Sequence, residues 1–129
     1  MSAIEEEVRA VLDQMVDALN AGDREGVLSL LSERLDAVHI GTDPDEWWTT
    51  EEFLASLSGA QSELRASLDQ VGVHSLGDVA WVEAKGHFSN SSGGERRVRV
   101  TGVLVREDGR WKVAQQHASI GVPNTEIFR

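Results

Sequence analysis

The pair Asp108–Gly109 lies between two alternating segments, "RRVRVTGVLVRE" and "RWKVAQQHAS". Asp-Gly suits a two-residue hairpin turn, because both central residues of that turn take positive φ. The turn commits its flanks to an antiparallel pair. It sets Arg106 opposite Trp111 and Leu104 opposite Val113, then Gly102 opposite Gln115 and Val100 opposite His117. Directly opposed residues share a face. The face that starts with Trp111 and Val113 therefore continues with Gln115, His117 and Ser119. Buried polar groups need partners. A strand whose inner face turns polar halfway is expected to leave the core and enter a pocket.

Helical signals dominate the first half. Ser2 and Glu5 fit a capping box, and Ile4, Val8, Val11, Leu12, Met15, Val16 and Leu19 recur at helical spacing. Gly22 suits the left-handed stop, and Asp23 suits the next N-cap before a short helix with Val27, Leu28, Leu30 and Leu31. Leu35 to Gly41 is a short strand, with the parity of His39 open. "TDPDEWW" is a loop broken by Pro44. Thr49 and Glu52 form a second capping box. Trp48 and Phe53 take the positions of a hydrophobic staple, which starts a third helix near Thr50. Strands follow at Arg65 to His74 and at Asp78 to Ser89. The second has an inner parity of Ala80, Val82, Ala84, Gly86 and Phe88. Gly86 and Gly102 are expected to leave volume on that face. "SNSSGGE" is a hairpin loop, and Gly121 to Asn124 a turn that ends the sheet.

At 129 residues the chain suits one domain over 1–129 with a real core. A net charge of -10 argues against nucleic acid and anionic membrane surfaces as partners. The absence of cysteine excludes disulfides and thiolate metal sites. No apolar run suits a membrane span and the acidic start is no signal peptide, so a cytoplasmic location is expected. Asp43 to Glu46 lacks the spacing of a calcium loop. No metal and no cofactor is expected.

The order helix, helix, strand, helix, then four long strands resembles the nuclear transport factor 2-like superfamily, and within it the SnoaL-like proteins. The residues that carry the likeness are "ALNAGDREGVLSLLSE", "EDGRWKV" and "QQHASIG". The closing strand is also similar to that of the association domain of calcium/calmodulin-dependent protein kinase. The resemblance implies an α+β, cystatin-like fold. In it a cone-shaped curved antiparallel sheet wraps three N-terminal helices and leaves a cavity at its open end. It also implies a homodimer through the outer sheet face. That face carries Trp81, Glu83, Lys85 and His87, with Thr101, Val103 and Val105 beside them. The superfamily hosts isomerases, dehydratases, epoxide hydrolases, polyketide cyclases and members without chemistry, so fold does not assign function.

The expected ligand-binding residues are His39, Trp48, Phe53, Met15, Gly102, Gln115 and His117. For His117 two readings stand: a pocket residue, or a structural imidazole bonded within the sheet. By resemblance, His39 reaches the cavity. Trp48 can staple Phe53, wall a cavity, or both. Met15 and Phe53 suit the core first. Ser119 beside His117 lacks a nucleophile elbow and an oxyanion hole. The chain has no tyrosine, which removes the residue that ketosteroid isomerases of the superfamily use to polarise a carbonyl. Any acid–base chemistry would rest on His39 and His117. The expected function is a homodimeric binder of a compact, mostly apolar small molecule, with or without weak isomerase-, cyclase- or dehydratase-type activity. The alternative is a non-catalytic interaction module with a vestigial cavity.

Overall fold

The computed structural model describes residues 2–57 and 63–128. Helix α1 (Ala3–Ala21) begins where the Ser2 side chain accepts from the Glu5 backbone N–H, and it ends at Gly22 with φ 66°. Asp23 caps α2 (Arg24–Ser29) by accepting from the Gly26 N–H. Helix α3 (Thr50–Ser56) carries the full capping box between Thr49 and Glu52. Trp48 and Phe53, their ring centroids 6.0 Å apart, form the staple over its first turn.

Six strands form one sheet: β1 (Val38–Ile40), β2 (Trp47–Trp48), β3 (Arg65–Leu76), β4 (Val79–Ser89), β5 (Glu95–Glu107) and β6 (Arg110–Ser119), in the spatial order β2-β1-β6-β5-β4-β3. Neighbours are antiparallel except β1, which runs parallel to β6. The expected strand over Leu35 to Gly41 is shorter, and Leu35 is fully exposed. Trp47 and Trp48, read as loop, pair with Ile40 and His39 as an edge strand. The turn expected at the end of the sheet leads into a short helix, α4 (Asn124–Ile127).

Helix α1 lies on the inner face. Val8, Met15 and Ala18 join Val27, Leu31, Leu54, Ala80, Val82, Leu104, Trp111 and Val113 in one buried cluster. The helix is also tied to edge strand β3. Arg9 Nη2 donates to the Val71 carbonyl at 2.7 Å, and Asn20 exchanges two hydrogen bonds with the Ala66 backbone. These bonds satisfy edge groups that would otherwise invite another strand.

Two bulges set the shape of the sheet. In β3 the register shifts between Leu68 and Gln70; in the β5–β6 pair it shifts at Val103/Leu104. The hairpin keeps the expected register as far as Leu104 and Val113. Beyond that, Ala114 is the extra residue, and Val103 faces Gln115, Gly102 faces Gln116, and Val100 faces Ala118. Every side chain past Ala114 thus takes the opposite face from the one strict alternation assigns. The two mid-strand glycines stand beside these bulges. A Cβ on Gly86 would lie 2.0 Å from the Ser67 carbonyl oxygen, and one on Gly102 would lie 3.3 Å from the Gln115 carbonyl oxygen. These glycines permit close backbone approach and do not open the volume expected of them.

Candidate functional site

The bulge corrects the expected site. Gln115 is exposed on the outer parity, and Gly102 packs against Val82 with no share in the cavity. His117 is also exposed, opposite Thr101, although it contributes to the cavity rim. In their place Gln116 and Ala118 turn inward. The polar change after Val113 therefore marks a bulge and not a core strand running into a pocket on the same parity.

A cavity of about 210 Å³ lies between α1, the β1–β2 segment, α3 and the inner face of the sheet. That is room for about seven waters at liquid density. Met15, His39, Trp48, Phe53 and His117 all line it. Leu12, Leu19, Leu68, Phe88 and Val100 add further apolar wall. Glu46, Ser56, Gln116 and Ala118 line it as well and were missed from sequence. For Gln116 the available signal was the polar turn at Gln115. Glu46 carried none, since it stands in an acidic loop that reads as solvated surface. Two larger hollows, of about 940 and 630 Å³, are surface grooves lined mainly by charged and polar side chains.

His39 organises the polar side of the cavity. Its place on β1 opposite Trp48 and Gln116 points it inward, and it is 1% exposed. Gln116 Nε2 donates to His39 Nδ1 at 2.9 Å. An amide nitrogen can only donate, so Nδ1 is the acceptor and Nε2 carries the proton. That proton goes to Thr50 Oγ1 at 3.1 Å, at the start of α3. Phe53 stacks on the ring with centroids 4.9 Å apart and planes 19° apart. Burial among such neighbours disfavours the imidazolium and pushes the pKa down from 6.5 to about 4. His39 is therefore neutral at pH 7, and both of its nitrogens are engaged. It positions Gln116 and Thr50 and has no free nitrogen to offer a ligand.

Among the described residues no cluster of three or more His, Asp or Glu could hold a metal ion. No described helix is long and apolar enough to cross a membrane.

Residues 8–123 match the family model described as a SnoaL-like domain. No curated protein matches the sequence. Solved structures share the fold. An NTF2-like protein of unknown function from Pseudomonas putida aligns over 95% of this chain and 91% of its own, with 21% identity and a TM-score of 0.83. A candidate dehydratase of the NTF2-like family from Streptomyces avermitilis covers 92% and 96%, with 24% identity and a TM-score of 0.75. A candidate calcium/calmodulin-dependent protein kinase II association domain from Xanthomonas campestris covers 89% and 86%, with 22% identity and a TM-score of 0.74.

Proposed function

Because the chain belongs to the SnoaL-like domain family, with a fold shared by a candidate dehydratase, we propose that it is a homodimeric binder of a compact, mostly apolar small molecule. The observation that carries this reading is the cavity behind Trp48 and Phe53, where His39 holds the Gln116 amide in place among apolar walls. A few fixed polar groups in an apolar hollow are the usual anatomy of a small-molecule site.

Binding is favoured over proton transfer. His39, neutral and engaged at both nitrogens, is a poor general base at pH 7. His117 stands exposed at the rim, and among the described residues no neighbour is bonded to it to orient its ring. The association-domain neighbour keeps the interaction module as the second reading, and the exposed outer-face residues Trp81 and Trp47 favour it.

The test is ligand-observed NMR with benzyl alcohol and indole, on the native protein and on Ala118→Phe, which fills the cavity. Saturation transferred from the native protein to these compounds, and absent with the folded variant, supports the cavity as the site. Equal transfer from both proteins, or from neither, overturns it.

A further inference from the structure

Three hydrogen-bond acceptors on the cavity's lining residues have lone pairs to spare. Of its polar lining residues, His39 is saturated by Gln116 and Thr50. Ser56 gives its one hydroxyl proton to the Phe53 carbonyl at 2.6 Å, which leaves only lone pairs. Gln116 spends an N–H on His39, while its Oε1 has no partner among the described residues. Glu46 lines the cavity, and its Oε1 accepts from the Asp43 N–H at 3.0 Å; its other carboxylate oxygen carries no hydrogen bond among the described residues. The free donors are one remaining N–H of Gln116, the Trp48 indole N–H and, at the mouth, the exposed Thr42 and His117.

The charge pattern is one-sided. Among the described residues Glu46 is the one acidic lining residue, and no Lys or Arg lines the cavity. Three aromatic side chains, Trp48, Phe53 and Phe88, supply ring faces or edges to the walls. Ring faces attract cations, most strongly where water is excluded. A net charge of -10 draws small cations toward the whole molecule.

We infer that the ligand of this cavity is a small primary amine with a compact apolar body, bound as the ammonium. Its apolar part lies among Leu12, Met15, Leu68 and the aromatic rings. Its three N–H donors face the Glu46 carboxylate, Gln116 Oε1 and the Ser56 hydroxyl oxygen. A carboxylate or phosphate of the same shape would meet acceptors and a like charge with no cation to neutralise it. This inference rests on the small-molecule reading above and names the ligand class of the same site.

The probes are three compounds of one shape: benzylamine, benzyl alcohol and sodium benzoate. Each is titrated at pH 7 into the native protein and into Glu46→Gln, with affinity followed by chemical-shift changes of the methyl groups of Leu12, Leu68 and Val100. Benzylamine should bind the native protein at least about tenfold more tightly than benzyl alcohol. Benzoate should be the weakest. Glu46→Gln should remove most of the amine's advantage and leave the alcohol's affinity unchanged; its amide oxygen can still accept from Asp43, which keeps the loop in place. Added salt should weaken benzylamine and leave benzyl alcohol unaffected. Equal binding of amine and alcohol, or preference for benzoate, overturns the amine inference while the small-molecule reading stands. Absence of shifts at these methyls with all three compounds overturns both.

Discussion

Gln116 donates to His39 across 2.9 Å, and the two residues stand opposite one another on parallel strands β1 and β6. The contact exists because Ala114 is an extra residue in β6. Without that bulge, position 116 would face outward and His39 would be buried with Nδ1 unpaired. Leaving such a buried group unsatisfied costs roughly 1–3 kcal/mol. The polar pair and the curvature of the sheet are thus one feature.

Stability should depend on pH through His39. Its pKa is about 4 in the folded protein and near 6.5 when exposed in the unfolded chain, so between those values the unfolded state holds more of the proton. His39's share of stability is complete above about pH 6.5, falls as pH drops toward 4, and changes no further below that. The slope from one group is at most ~1.4 kcal/mol per pH unit. Denaturant melts from pH 7.5 to 4 should show this loss, and His39→Gln should lack it in that window.

Adjacent glutamines should respond unequally. Gln115→Ala, on the exposed parity, should shift stability by less than ~0.5 kcal/mol. Gln116→Ala removes the donor to His39 and should cost roughly 1–3 kcal/mol. Urea denaturation of the two variants makes the comparison, and the reverse order would place the bulge elsewhere.

Backbone approach at Gly86 should tolerate no side chain. Gly86→Ala forces the Ser67 carbonyl away from a 2.0 Å contact, and a cost of at least ~1–3 kcal/mol is expected. Gly102→Ala meets its nearest neighbours at 3.3 Å and should cost less. Urea denaturation of the two alanine variants measures both costs.

A dimer is expected through the outer face of the sheet. Trp81 is 44% exposed there with His74 stacked on it, their centroids 5.7 Å apart. His74 also contacts Glu83 at 2.9 Å, so polar groups next to the tryptophan already have partners. A specific interface buries on the order of 1,600 Å² in total. Light scattering at micromolar concentration should give twice the chain mass for the native protein and one chain mass for Trp81→Glu. A native monomer refutes the dimer.

Features settled by neighbours in the chain were legible before any fold was known. The N-cap at Ser2, the capping box at Thr49, the stop at Gly22, the Trp48–Phe53 staple and the turn at Asp108–Gly109 each involve residues within a few positions of one another. From the turn outward, the hairpin register holds as far as Val113. The family also followed from the order of these pieces. What failed was alternation beyond Val113, and with it the side assigned to Gln115, Gln116 and His117. Alternation assumes one residue per ladder step, but a curved sheet that closes over α1 takes up bend by adding a residue. The place of that residue depends on β1 docking against β6, which brings His39 from 77 residues away to Gln116. Likewise Glu46 reads locally as one more solvated acid, and only the packing of the β1–β2 segment places it on the cavity wall. Local sequence determined the elements and their caps; contacts between distant segments decided which side chains meet in the cavity.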